Sequence, residues 1–178
     1  MTRLLIAFLI LLSACAVNKM DTEMTQANTF PTLAAQTLAG NDITFPEDIR
    51  GQKTFIAMVF EDLGAFMTPQ NQANKWAEVY EQYLQPEGVV FYEIPMMASA
   101  FSIMRGWVDN GMRSGIPIEK HDNIACYYGD KGKYKRALDI GTYKEAQIFV
   151  LDEQGQILFF ASGEPTEEGI ARVREVVK

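Results

Sequence analysis

Cysteine and histidine, which can supply a nucleophile, a general base or a soft metal ligand, are few in this sequence. Its 178 residues include two cysteines, Cys15 and Cys126, and one histidine, His121. Any Ser-His-Asp or Cys-His arrangement would therefore have to be built around His121. That histidine lies in the polar stretch 119–122, so we expect a solvated loop side chain. Gly-rich phosphate loops and motif-spaced carboxylate pairs are absent from the sequence.

Cys126 lies in the apolar run 124–128, and no lysine or arginine adjoins it in sequence to lower the pKa of its thiol. We interpret it as a small, buried side chain of a strand. The alternative is a lone redox thiol, which would make the protein an enzyme.

A metal site is the other chemistry to consider. His121 and Cys126 lack further soft ligands nearby. Thioethers suit Cu(I), and four methionines lie in this part of the chain: Met96, Met97, Met104 and Met112. The last two recur at helical spacing and are predicted to face the core. We therefore predict no metal site and no cofactor.

The stretch 54–76 is typical of a buried strand, a turn and a helix. Residues 54–60 are nearly all apolar, Thr68 offers an N-cap hydroxyl, and Pro69 suits the first helical position. The unpaired amides at a helix N-terminus lower the pKa of a thiol placed there. The turn 61–69 contains no cysteine, histidine or lysine. This favourable position for a reactive group therefore holds none.

A charged series at helical spacing is the best candidate for a binding surface. Arg105, Asp109 and Arg113 recur at i, i+4 and i+8, which aligns them along one helix face. One interpretation is a surface ion-pair ladder, worth about 0.3–0.5 kcal/mol per pair. The other is a contact surface for a partner's carboxylates or carbonyls, with Tyr92 and Glu93 entering from the neighbouring strand end. The sequence leaves both open.

The first part of the chain is predicted to lie outside the folded domain. Arg3 precedes the apolar run 4–12, which would form a helix of about 14 Å. A hydrocarbon core is about 30 Å thick, so this run is too short to span it. A cationic start and a short apolar core are typical of a secretory signal.

Residues 12–15 (LSAC) resemble the lipobox of bacterial lipoproteins, whose cysteine is lipid-modified after cleavage before it. The resemblance implies a signal peptide at 1–14, lipidated Cys15 with a flexible tether at 15–29, and a domain at 30–178. The alanine after the cysteine implies an outer-membrane location facing the periplasm, held by acyl chains. The alternatives are a plain signal peptide and an uncleaved anchor.

The net charge of the chain limits the classes of partner that it is expected to bind. The formal net charge is −7, and removal of residues 1–14 deletes one of 16 basic residues, so 15 basic against 23 acidic residues leave −8. An acidic protein is not expected to bind nucleic acid or anionic lipid. A lipidated Cys15 would leave Cys126 without a disulfide partner.

Hydrophobic periodicity and turn signals place the remaining elements. Apolar pieces flank turn residues in 33–45 and in 147–161, which predicts two hairpins. Strands at 89–94, ended by Pro95, and at 124–128 alternate with helices between them, and a short helix is predicted at 134–140. The residues predicted to face inward from the three longer helices are Ala73, Trp76 and Tyr80, then Phe101, Met104, Val108 and Met112, and finally Ile170, Val173 and Val177. Right-handed crossovers between the early strands then require an α/β class, with helices on both faces of a central sheet.

This order resembles the thioredoxin fold in its peroxiredoxin-like form, which implies three α/β/α layers, a mixed central sheet and an N-terminal β-hairpin extension. Within that superfamily the sequence is similar to the mitochondrial ATP synthase assembly factors and their bacterial relatives, from about Phe30 to the C-terminus. The segments that carry the likeness are 38–40 (LAG), 45–48 (FPED), 91–95 (FYEIP), 104–117 (MRGWVDNGMRSGIP), 128–130 (YGD) and 137–140 (ALDI).

Redox members of that fold carry a cysteine at the turn after the first central strand and a cis-proline before a later strand, which corresponds to residues 149–152 here. The turn 61–69 has no cysteine, and Ala146 occupies the proline position. A non-proline cis bond costs about 3 kcal/mol, so both features are predicted to be absent.

The resemblance therefore implies a membrane-anchored, redox-inactive binding or assembly module with a chaperone-like role towards an envelope or membrane protein. Its predicted contact residues are Tyr92, Glu93, Arg105, Asp109 and Arg113. Two alternatives stay open. One is a divergent thiol-disulfide oxidoreductase or peroxidase that uses Cys126, and the other is a small-molecule or metal-binding lipoprotein.

Overall fold

The computed structural model describes residues 29–60 and 67–178. The signal peptide, Cys15, most of the tether and residues 61–66 of the cysteine-free turn lie outside these ranges. What the sequence predicts for them stays a prediction.

Seven strands form one sheet in the described ranges. They are β1 (Leu33–Thr37), β2 (Asp42–Phe45), β3 (Thr54–Phe60), β4 (Val90–Ala98), β5 (Ala125–Gly129), β6 (Gln147–Leu151) and β7 (Ile157–Ser162). Their order across the sheet is β2-β1-β5-β4-β3-β6-β7. Strands β3, β4 and β5 run parallel, whereas β1 pairs antiparallel with β5 and β6 with β3. The sheet is therefore mixed, with the β1–β2 hairpin at one edge, as predicted.

The helices of the described ranges lie on both faces of this sheet. They are α1 (Met67–Val79), α2 (Arg105–Gly115), α3 (Lys131–Ala137) and α4 (Glu167–Val176). Residues of α1, α2 and α4 pack on one face and residues of α3 on the other, which confirms the three-layer class. None of these helices combines the length and the apolar character needed to cross a membrane.

Local sequence explains where the helices begin and end. A π turn (Tyr80–Leu84) and a 3-10 turn (Gln85–Glu87) prolong α1 as far as Gly88, whose φ of 78° ends it. Helix α3 begins earlier than the predicted residue 134, because the Asp130 side chain caps it by accepting from a backbone N–H. Short 3-10 turns precede and follow α2, at Ser99–Met104 and Ile118–Asn123.

The core has two layers, one on each side of strand β3, which is buried throughout. Its odd-numbered apolar residues face the layer that contains α1 and α4, and its even-numbered apolar residues face the layer that contains α3. In the first layer Trp76 is 1% exposed, and its Nε1 donates to the Gly163 carbonyl at 2.9 Å. The apolar run 54–60 is therefore covered on both faces, as predicted.

Strand β4 continues past its predicted end at Pro95 and runs to Ala98. The predicted end was wrong because proline removes a hydrogen-bond donor without preventing an extended backbone. The pairing of β4 with β5 is irregular at this point. Glu93 forms an isolated bridge with Ile124, and the regular register begins at Met96.

Candidate functional site

Helix α2 turns its charged residues toward the sheet. Asp109 is the buried residue of this helix, with 6% of its surface exposed, and Arg105 and Arg113 lie half-buried on either side of it. The three residues share one helix face, as their spacing predicted. The Arg105–Asp109 ion pair of the predicted ladder is present, but its placement on the surface was wrong, because this face packs on the sheet. Periodicity shows which residues share a face but not which face is covered.

The Asp109 carboxylate is held from both sides. The Tyr128 hydroxyl of β5 donates to Oδ1 at 2.6 Å, and Arg105 Nε donates to Oδ2 at 3.3 Å. Arg105 Nη2 also donates to the Gln36 side chain of β1 at 2.9 Å, and the guanidinium lies 5.2 Å from the centre of the Tyr128 ring. Burial, followed by the hydrogen bond to Asp109, raises the pKa of Tyr128. Its hydroxyl therefore remains a donor at neutral pH.

Arg113 fixes the other end of α2. Its Nε donates to the carbonyl of Leu38, just after β1, at 2.6 Å, and its Nη1 donates to the Asn110 side chain at 3.0 Å. The helix is thus attached to β5, to β1 and to the residue that follows β1 by polar groups, beside the apolar contacts of Met112.

The opposite side of α2 and its preceding turn carry large apolar side chains in solvent. Ile103 is 94% exposed, Trp107 75% and Met104 48%; we call these three residues the apolar ridge. The prediction that Met104 faces the core was wrong, whereas Met112 packs inward as predicted. Ile118, beyond the end of α2, is also exposed. Exposed apolar groups that lie together are typical of interaction sites.

Cys126 has 2% of its surface exposed and lines a cavity of about 350 Å³ together with Arg105 and Tyr128. Burial, and then the negative charge of Asp109, raises the pKa of the thiol to about 12. The thiol is therefore protonated at neutral pH, and a protonated thiol is not a nucleophile.

Ala146, at the position expected for a cis-proline in redox relatives, acts as a backbone donor. Its N–H donates to the Gln72 side chain of α1 at 2.9 Å, and both residues are buried. Proline has no N–H and could not form this hydrogen bond. The cis peptide bond in the described part of the chain precedes Pro46.

His121 is buried, with 9% of its surface exposed, and its Nε2 lies 2.9 Å from the Ile116 carbonyl oxygen. The prediction of a solvated side chain was wrong. Its stretch is polar, but the Ile118–Asn123 turn folds the ring back against the end of α2. Within residues 29–60 and 67–178 no group of three or more His, Cys, Asp or Glu side chains could hold a metal ion.

Tyr92 and Glu93 point to opposite faces of the sheet, as neighbours in a strand do. Tyr92 packs edge-on against Phe45, with ring centres 5.1 Å apart. Glu93 faces α1, where Gln70 Nε2 donates to its Oε1 at 3.1 Å. The five predicted contact residues therefore do not form one surface. Their role as partner contacts stays a prediction. The apolar ridge was not predicted from the sequence, because a helix that carries Arg105, Asp109 and Arg113 is expected to keep these charges in solvent.

Comparison with known proteins connects this architecture to a family. The model of the ATP10 protein family matches residues 19–178. The chain belongs to the ATP10 family. This confirms the likeness to ATP synthase assembly factors that the sequence segments indicate. No curated protein matches this sequence.

Solved structures share the fold of this chain. The thioredoxin domain of the thiol-disulfide oxidoreductase BVU-2223 from Bacteroides vulgatus is 15% identical with a TM-score of 0.57, covering 87% of this chain and 99% of that one. Copper-bound yeast Sco1 is 12% identical with a TM-score of 0.54, covering 85% and 94%. The exposed lipoprotein thioredoxin Etrx1 of Streptococcus pneumoniae is 11% identical with a TM-score of 0.53, covering 82% and 98%. At such identities the likeness shows a thioredoxin-like fold and not a shared chemistry.

Replacement of Asp109 with alanine is expected to lower the free energy of unfolding by about 2–4 kcal/mol, because the Tyr128 hydroxyl and Arg105 lose their acceptor beneath the helix. Urea unfolding measures the loss. Glu175→Ala, which removes an exposed acid from α4, should cost less than about 0.5 kcal/mol. Equal, small losses in both variants would contradict a buried carboxylate at Asp109.

The Cys126 thiol is expected to make stability fall as the pH rises above about 8.5, its pKa in an unfolded chain. The folded-state pKa is about 12, so the unfolded chain loses this proton first. Each pH unit between the two values then lowers the free energy of unfolding by about 1.4 kcal/mol.

Unfolding of the wild type and of Cys126→Ser at several pH values from about 8 to about 10 checks this. The wild type should show the steeper decline. Parallel slopes, or rapid labelling of the folded protein by a thiol reagent at neutral pH, would show an accessible thiol instead.

Proposed function

We propose that this member of the ATP10 family is a redox-inactive assembly module that binds a partner protein through the apolar ridge of α2 and its preceding turn. The observation that carries the proposal is the exposure of Trp107 on α2 and of Ile103 in the preceding turn, while the charged face of α2 is engaged with the sheet. Covering one large apolar side chain contributes about 1.5–3 kcal/mol. A complex that covers the ridge is therefore favoured by the hydrophobic effect.

Three observations support the lack of redox activity. The turn 61–69 contains no cysteine. Burial keeps the pKa of the Cys126 thiol near 12. The Ala146 N–H is engaged by Gln72 at the place where redox relatives carry a proline. An oxidoreductase that used Cys126 would need a thiolate that this environment disfavours.

The location of the module is proposed from the sequence. The apolar run 4–12 followed by LSAC supports a lipid at Cys15, which would hold the domain at the outer membrane, facing the periplasm. An anchored module meets partners at that surface, so we propose an envelope or membrane protein as the partner. The net charge of −7 disfavours nucleic acid.

The ridge is expected to touch the partner directly. A photocrosslinking residue at Met104, introduced into the full chain in its native cells, should capture a discrete membrane protein that mass spectrometry identifies. The same residue at Arg172, an exposed position on α4, should not, because α4 does not carry the ridge.

The double substitution Ile103→Ser, Trp107→Ser should reduce capture from Met104 by at least about tenfold, since it removes two large apolar contacts. The melting temperature should stay within a few degrees because both side chains are exposed. Met67→Ser, at another exposed apolar position, serves as the matched control. Undiminished capture by the double variant would overturn the proposal, and capture that requires Cys126 would favour the oxidoreductase alternative.

A further inference from the structure

A groove separates α1 from α2 on their shared face of the sheet. Its main cavity has a volume of about 500 Å³. Strand β4 forms the floor of this cavity, and α1 forms one wall. The end of α2 and the turn that follows it form the other wall. A smaller cavity of about 190 Å³ adjoins it, and the two share Ala77, Phe91, Lys120 and Ile124. The combined space lies in the size range of small-ligand sites.

The lining of the main cavity is chiefly apolar. Phe91 and Pro95 of β4 form the floor together with Ile124, and Met112 and Ile116 form the wall at the end of α2. Such a lining takes the apolar body of a ligand, because contact removes hydrocarbon surface from water.

Glu93 places a carboxylate on this apolar floor. It lies within β4, where its backbone is paired with Ala57 of β3 and forms an isolated β-bridge with Ile124. Within the described part of the chain, Gln70 Nε2 of α1 donates a hydrogen bond to Glu93 Oε1 at 3.1 Å. Burial raises the pKa of Glu93, while Gln70 and then Lys120 act to lower it. A carboxylate in these surroundings gains from a cation that enters the cavity.

Two other charged side chains line this space at its exposed rim: Lys120 lines both cavities, and Glu81 lines the smaller one. Lys120 lies 3.8 Å from Glu81, and both side chains are more than half exposed. Solvent screens this pair, so the carboxylate of Glu93 dominates the floor. A ligand cation is attracted to that floor, and a ligand anion is repelled from it.

We propose that this groove binds a small ligand that has an apolar body and one protonated amine, with the ammonium group on Glu93 and the body against Phe91, Met112 and Ile116. The site is separate from the apolar ridge, which lies on the solvent side of α2. It does not depend on the function proposed for the ridge.

The probe for the test is hexylamine, with hexanol and hexanoate as matched compounds that replace the ammonium group by a neutral and an anionic group. Titration is followed by thermal stabilisation of the full chain and by the methyl NMR signal of Met112. Hexylamine should stabilise the protein and shift the Met112 signal in a saturable manner. Hexanoate should do neither, and hexanol should bind more weakly than hexylamine.

Glu93→Gln keeps the shape of the side chain and removes its charge. It should weaken hexylamine binding by about ten- to a hundredfold, the effect of losing a charge-assisted hydrogen bond. Glu81→Gln at the rim should leave binding within about threefold, as expected for an exposed group. Equal binding of the amine and the carboxylate, no Met112 shift with hexylamine, or unchanged affinity in Glu93→Gln would each overturn the proposal. If Glu93→Gln does not fold, the comparison of the three compounds on the wild type decides.

Discussion

The carboxylate of Asp109 lies between the Tyr128 hydroxyl and the Arg105 guanidinium, and the orientation of α2 depends on this contact. A buried carboxylate is tolerated when it is paired and hydrogen-bonded, and breaking such a pair is strongly unfavourable. A rotation of α2 that buried Trp107 would carry Asp109 away from the Tyr128 hydroxyl and Arg105 away from the Gln36 side chain. The helix therefore keeps its charged face on the sheet and its apolar ridge in solvent. The surface available for a partner is set by an interaction beneath the helix.

The same fold supports different chemistry in its solved neighbours, because function depends on the site rather than on the scaffold. Here Ala146 donates a backbone hydrogen bond to Gln72 where redox relatives have a proline. Cys126 lies beneath α2 beside the Asp109 carboxylate, whose negative charge opposes a thiolate. The thioredoxin-like fold is thus retained, and its exposed apolar ridge is suited to contacts with other molecules.

Most of the fold could be predicted from the sequence, because periodicity reports burial directly. The run 54–60 and the inward residues of α4 lie where their patterns indicated. The orientation of α2 could not be predicted, since Gln36 and Tyr128, which complement its charges, are distant in sequence. The sequence contained one indication of this orientation. Met112 and Ile116 are apolar and share the charged face, so burial of that face removes them from water. The burial of His121 could not be predicted for the same reason. Its polar sequence neighbours do not reveal that the ring lies against the Ile116 carbonyl in the fold.

Hydroxyl-radical footprinting of the purified wild-type protein tests the outward position of the ridge most directly, because the chain contains two tryptophans, Trp76 and Trp107. Mass spectrometry reports the oxidation rate of each in the folded and the denatured protein. We expect Trp107 to be oxidised at nearly its denatured rate and Trp76, which is 1% exposed, to be strongly protected. Equal protection of both tryptophans would contradict the outward ridge and the orientation of α2 from which it follows.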